Sequence, residues 1–311
     1  MTVHGMLSMD RATNPDDHPH VTGQEILAGL RDVGLGAGDV VMVHSSLSSL
    51  GYVAGGADAV IDALLEAVGA QGTVVVPAFT WGRFHQEHGF TFDVAGASVA
   101  DEVGVIPETF RQRPGAMRSR HVCHSVAAIG PHARQVMGAG VRSFGPGSSF
   151  DALHQLNARV LLLGVGFTAC TALHMVEEYR QVPYRSYRDF GDCRVLLPDG
   201  TTEPSRAVEY LKRQGYQNDF GKMDAVLARA GVLRTGRIGA AAVSNVRMRD
   251  LFDVTMALMR DDVGFLLTRE SQALLREELA RGLAVAEPLE LPRRPGSAPC
   301  LAADSASREL A

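Results

Sequence analysis

The sequence has no excess of positive charge, no paired cysteines and no long apolar run, and each absence removes a class of protein. Thirty Lys and Arg against 35 Asp and Glu leave a formal net charge of −5. Without a basic excess there is nothing to draw the chain to phosphate backbones, so nucleic acid is not expected as a partner. The four cysteines, Cys123, Cys170, Cys193 and Cys300, have no paired spacing. No charged-then-apolar signal segment opens the chain, so a cytoplasmic protein is expected. Apolar stretches such as Val40–Val43 and Val160–Leu163 are of strand length, far short of the roughly 20 residues that span a bilayer, and no membrane association is expected.

Several catalytic signatures are also missing. Gly164-x-Gly166 lacks the third glycine of a dinucleotide fingerprint, and there is no Walker lysine loop. Ser45 and Ser46 lack the flanking glycines of a hydrolase nucleophile elbow. His85 and His88, like His121 and His124, stand three apart, but neither pair carries the glutamate placement of a zinc protease, and no metal is expected.

What remains is globular: 46% hydrophobic and 21% charged residues with 33 glycines in 311 residues suit one large α/β domain. Residues 1–20, rich in turn formers, are read as a flexible leader, and residues 291–311, with Pro292, Pro295 and Pro299, as a disordered tail. The domain between them is expected over residues 21–290. Thr22 and Glu25 have capping-box spacing before a helical stripe of Ile26, Leu27, Leu30 and Val33. A strand at Val40–Val43, a helix carrying Val60, Ile61, Leu64 and Leu65, and a strand at Thr73–Val76 make a βαβ unit. Further elements are expected at Val103–Phe110 (helix), Val126–Ile129 and Arg159–Gly164 (strands), Ala172–Tyr179 (helix), Gly239–Val243 (strand), and Met223–Ala230 and Arg247–Met259 (helices). Cys193–Leu197 before Pro198-Asp199-Gly200-Thr201 predicts an antiparallel hairpin added to the sheet. The fold class is α/β, a mixed β-sheet flanked by helices.

The segment from Leu163 to Glu178 is the richest in chemistry. A buried strand ends in glycines and feeds a helix, and ligands in open α/β sheets sit at the carboxyl ends of strands. His174 and Glu177, at i and i+3, share a helical face. An imidazole oriented by a carboxylate meets the requirement for a general base. The alternative is a packing histidine beside a solvated helix charge. His44-Ser45-Ser46 follows a strand and could bind phosphate or a carbonyl, and Gly147-Ser148-Ser149 is a second hydroxyl-bearing loop before a helix start.

Taken together, these stretches resemble the aminoglycoside 3-N-acetyltransferases, antibiotic N-acetyltransferases unrelated to the GNAT fold. The resemblance is carried by Val43–Gly51 with Gly55-Gly56, Gly72–Thr80, Arg118-Ser119 with Ser125–Gly130, Gly147–Asp151, Val160–Glu177 and Gly236–Gly239. It runs in one order from about Val21 to Leu267. It implies acetyl transfer from acetyl-CoA to an amine, the 3-amino group of an aminoglycoside, without a covalent intermediate and with His174 as base oriented by Glu177. It places CoA on Ser45, Ser46, Arg118, Ser119, Ser125, Gly147, Ser148 and Ser149, and substrate ammonium groups on Asp151 or Glu178. Thr168 and Cys170 stand where family members often carry aspartate and asparagine, so a small-molecule amine of another kind is the alternative acceptor. A thioesterase or serine hydrolase using Ser46 with His174 is the alternative chemistry, and a CoA- or antibiotic-binding protein without turnover the third.

Overall fold

The computed structural model describes residues 20–86, 89–138 and 140–282. Residues 1–19, His88, the segment 291–311 and Cys300 lie outside them. The expected leader and tail thus fall outside the described residues, apart from His20, which pairs with Tyr52.

Twelve strands are present among the described residues: β1 (His20–Val21), β2 (Val40–Ser45), β3 (Tyr52–Val53), β4 (Thr73–Pro77), β5 (Thr91–Asp93), β6 (Met117–Arg118), β7 (Val126–Ile129), β8 (Arg159–Leu163), β9 (Arg185–Leu196), β10 (Thr202–Lys212), β11 (Arg234–Ile238) and β12 (Ala241–Arg247). The main sheet has the order β11-β12-β8-β2-β4-β7-β6. β2 is parallel to β4 and β8, while β7 and β12 run antiparallel to their inner neighbours. The mixed sheet flanked by helices is as expected.

Side-chain alternation explains why the central strands read as continuous apolar runs. Met42, Val75, Val160 and Leu162 face one buried cluster, and Val41, Val43, Val74, Val76, Leu161 and Leu163 face the other. A strand covered on both faces needs apolar residues at every position. The helices Gly23–Asp32 and Gly56–Val68 cover one face through Ile26, Leu30, Ile61 and Leu64. Ser149–Gln155, Ala172–Arg180 and Met248–Asp261 cover the other through Phe150, Leu173, Val176 and Leu251. Fully burying each such side chain contributes about 1.5–3 kcal/mol. The capping box at Thr22 and Glu25 forms.

Three expectations are corrected. The helix expected over Val103–Phe110 breaks into Ala100–Val103 and Val105–Arg111 at Gly104, whose φ of +89° lies outside helical space. The strand expected at Gly239–Val243 is a hairpin, with Gly239 turning between β11 and β12 at φ +56°. The β9–β10 hairpin forms, but it joins β5 in a separate three-stranded sheet. Phe84, Phe90, Phe92 and Val195 give that sheet its own apolar cluster.

The parallel pair β2 and β8 brings two chemically marked ends together. Ser45 is in register with Leu163, and the Ser46 amide donates to the Leu163 carbonyl at 3.0 Å. Gly164 follows at φ +71°, where an added Cβ would stand 2.6 Å from the Cβ of Ser49. Glycine is required there for the serine loop to close against the sheet.

Candidate active site

His174 stands in the first turn of helix Ala172–Arg180, beyond the end of β8. Its Nδ1 lies 2.6 Å from Glu177 Oε2. Glu177 is fully buried and collects three more donors: Arg185 Nη2 at 2.8 Å, Asn218 Nδ2 at 2.7 Å and the Tyr184 hydroxyl at 3.0 Å. The reading of Glu177 as a solvated charge is thereby removed. Burial alone would raise its pKa, but Arg185 and the bonds from His174 and Asn218 outweigh it and hold the group at about 2. His174 is pushed below its ordinary value by burial and then by Arg185, against the pull of Glu177. The carboxylate therefore stays ionised and the imidazole neutral, which is the state a base needs.

Sequence reasoning missed Arg185, Tyr184 and Asn218. Arg185 and Tyr184 lie in the Tyr- and Arg-rich stretch Val182–Arg188, whose composition was the available signal. Asn218 enters only through the tertiary fold, after β10.

His174 lines two cavities at once. One, of about 1060 Å³, is walled by His44, Ser45, Ser46, Tyr52 and Trp81, and the other, of about 640 Å³, by His85, Phe144, Arg185, Lys212 and Asn218. Trp81, His124 and Thr168 belong to both walls. Of the two departures from the family pattern, Thr168 therefore faces the site. Cys170 is buried in the core, and burial pushes its thiol up to about 12.

Ser45 and Ser46 are brought to the cleft with His174. The Ser45 hydroxyl and His44 Nε2 are buried without hydrogen-bond partners among the described residues, so they remain available to a polar ligand. Ser46 accepts from the Ser49 hydroxyl at 2.9 Å. Among the described residues no serine hydroxyl is hydrogen-bonded to His174.

The other expected CoA contacts are not brought to that cleft. The Arg118 guanidinium donates to the carbonyls of Ala97 and Ala78 and to Ser125 Oγ, and stacks on Phe92. Ser125 in turn donates to the Ala78 carbonyl, and Ser119 accepts from the Val126 amide. Ser148 caps helix Ser149–Gln155, Ser149 bonds the Met137 carbonyl, and the Gly147 amide donates to Asp151. Arg118, Ser119 and Ser149 instead line a separate cavity of about 670 Å³.

Asp151 and Glu178, expected to receive substrate ammonium groups, line neither of the cavities that His174 faces. Asp151 is held by the Gly147 amide, Gln155 and the Tyr179 hydroxyl. Glu178 is 1% exposed, and burial raises its pKa to about 7 even though Arg142 Nη1 stands 3.5 Å away. A carboxyl raised from 4.5 to about 7 favours the folded state at low pH and loses that contribution as pH climbs through this window. Glu178→Gln is expected to flatten the Tm between about pH 5 and 8; melting curves across that range check it.

His121, His124 and Glu209 form a further cluster, with one ligand-type atom from each lying within 4.8 Å of the others. Both nitrogens of His121 are already engaged: Nδ1 accepts from the amides of Cys123 and His124, and Nε2 faces the Val141 carbonyl. Of the other histidine pair, His85 lies in helix Trp81–Gln86.

Two cavities that meet at one neutral imidazole suit a reaction between two bound substrates, and a group-transfer enzyme is the class this cleft defines. The family is narrower: residues 42–260 match the aminoglycoside 3-N-acetyltransferase model, and the chain belongs to that family. It is 33% identical to aminoglycoside N(3)-acetyltransferase IV of Salmonella sp., over 78% of this chain and 89% of that relative. Among solved structures, AAC-IIIb with CoASH superimposes with a TM-score of 0.69 at 26% identity, covering 78% of this chain and 97% of that one. A histidine-to-alanine variant of aminoglycoside acetyltransferase AAC(3)-IVa in complex with apramycin gives 0.66 at 30%, covering 78% and 93%. The chain is an acetyltransferase with acetyl-CoA as co-substrate. The size of the larger cavity and its unpartnered Ser45 and His44 atoms fit such a ligand. Among the described residues no helix is long and apolar enough to cross a membrane.

Proposed function

We propose that the protein transfers the acetyl group of acetyl-CoA directly to an aminoglycoside, at its 3-amino group, with His174 as general base. The observation that carries this reading is the position of His174 on the shared wall of two cavities, backed by a buried, ionised Glu177. The larger cavity takes the thioester, where Ser45 and neighbouring amides are the donors available to the developing oxyanion. The smaller cavity takes the acceptor. An ammonium group must lose a proton before it can attack, and a neutral His174 accepts it. Nitrogen then attacks the carbonyl carbon, the C–N bond forms, the C–S bond breaks with its electron pair on sulfur, and the nitrogen's second proton passes to that sulfur, so that CoA leaves as the thiol and solvent takes the proton held by His174. Holding both reactants against one another supplies much of the acceleration. The lack of a serine bonded to His174 among the described residues supports one-step transfer over a Ser46 acyl-enzyme.

A second reading, an amine outside the aminoglycosides, has one specific observation behind it. The carboxylates near the acceptor cavity, Glu177 and Glu209, are already paired inside the protein, while Lys212 and Arg185 face the same space. A polycation gains least from such a wall. Thiol release from acetyl-CoA, measured against a panel of aminoglycosides and uncharged or anionic amines, tests both. Release that depends on an aminoglycoside is the expected result. Release with only the other amines selects the second reading, and release without any acceptor selects a thioesterase.

A further inference from the structure

Two cations stand side by side in the smaller cavity, and the protein neutralises one of them. Lys212 ends β10 directly opposite Arg185, the first residue of β9. Residues opposite one another in an antiparallel pair project from the same face, and like charges there repel. The next pair on that face, Tyr187 and Tyr210, is in ring contact with centroids 4.6 Å apart. Arg185 and Lys212 both line the cavity. Burial and then Arg185 draw the Lys212 pKa below its ordinary value, against the pull of Glu177, as a like charge at close range does.

Arg185 is committed to the protein. Its guanidinium donates to Glu177, to the Asn218 side-chain oxygen and to the Tyr210 carbonyl. Glu177 has nothing left for a second cation: Oε2 takes His174 and Arg185, and Oε1 takes Tyr184 and Asn218, which fills the four acceptor positions of a carboxylate. Glu209, which also lines the cavity, stands three positions back along β10 and so projects from the opposite face, where its oxygens meet Ser143 and His124. Among the described residues Lys212 makes no hydrogen bond or ion pair. Its half-buried ammonium is left for the acceptor to meet.

We propose that Lys212 is a specificity-determining residue of the transfer: it disfavours an acceptor that brings a second ammonium group beside the reacting amine, and favours one that carries a hydroxyl there. The inference rests on the acetyltransfer reading above and narrows its acceptor to aminoglycosides with few ammonium groups at that end. The reacting amine escapes most of the penalty, because it attacks after giving a proton to His174 and is then neutral. A second ammonium has no such outlet and is held against Lys212 through every step. The repulsion is the same in the bound substrate and in the transition state, so it weighs on KM more than on kcat.

The test is a matched pair of acceptors, kanamycin B and kanamycin A, which differ only in an amino group of the first replaced by a hydroxyl in the second. The ratio of kcat/KM for kanamycin B to that for kanamycin A is measured for wild type, Lys212→Arg, Lys212→Gln and Lys212→Glu. It is expected to hold in Lys212→Arg, to rise about threefold in Lys212→Gln and to rise about tenfold in Lys212→Glu, with the change carried by KM. That order follows charge alone, which a merely structural lysine would not produce. A ratio that does not move with the charge at position 212 overturns the assignment. So does a rise in the KM of acetyl-CoA in Lys212→Gln with the kanamycin ratio unmoved, which would put Lys212 on the CoA phosphates. Calorimetric titration of the two kanamycins into the same proteins reads the same ratio in affinity, without turnover. If no variant releases thiol with either kanamycin, aminoglycoside acetylation is what fails. A calorimetric ratio that still follows the charge then sustains Lys212 as the selector, and a flat one, or no binding, overturns it.

Discussion

His174→Ala is expected to lower kcat by about 10²- to 10⁴-fold, the range a positioned general base contributes, while leaving CoA affinity and Tm close to wild type. The separation follows from the site's construction. Removing the imidazole deletes one of four donors to Glu177 and leaves the Arg185, Asn218 and Tyr184 bonds in place. The side chain is 27% exposed and faces the cavities, so truncation opens little buried volume. A turnover assay at saturating acetyl-CoA, paired with calorimetric CoA binding, checks both halves. Because the neutral form is the active one, wild-type kcat falls as pH drops through the depressed pKa of His174. Turnover near wild type in the variant would remove His174 from the role assigned to it.

Glu177→Ala should cost stability as well as rate. It leaves the Arg185 guanidinium, 7% exposed, without its carboxylate, and breaking a buried pair from one side costs about 3–5 kcal/mol. At roughly 2–4 °C per kcal/mol for a chain of this size, the Tm should fall by about 6–20 °C. Activity should fall with it, since His174 loses the partner that fixes its ring. The pH signature has a definite sign. A glutamate whose pKa drops from 4.5 to about 2 on folding contributes stability above pH 4.5, lost as pH falls toward 2. Acid unfolding of wild type should therefore be steeper than that of Glu177→Gln, which cannot titrate there. Circular dichroism melts from neutral pH down to about pH 2.5 would show the two curves converging. Parallel curves would mean that the carboxylate is not held in the ionised form.

What could be read from the sequence was what short-range pattern encodes. The strands β2, β4 and β8 show as β-rich runs because both their faces are buried, and helix starts such as Thr22–Glu25 show because a cap is a local hydrogen-bond problem. His174 and Glu177 were readable because i,i+3 spacing on a helix after a strand is itself local. Placement in space was not. The hairpin β9–β10 was visible from its turn, yet nothing local says that it leaves the main sheet to pair with β5. Ser148 and Asp151 have the chemistry of ligand contacts, but each satisfies a helix N-terminus instead. Arg118 looks like a phosphate partner until its donors are followed to the carbonyls of Ala97 and Ala78.

The central claim, that His174 acts on the acceptor amine and not on a serine, is tested most directly by mixing enzyme with acetyl-CoA alone and following thiol release and intact mass from the first turnover. The account predicts no stoichiometric thiol burst and no acetyl adduct until an acceptor is added, because no serine hydroxyl among the described residues is bonded to His174. A burst equal to the enzyme concentration, with an acetyl group on Ser45 or Ser46, would contradict it.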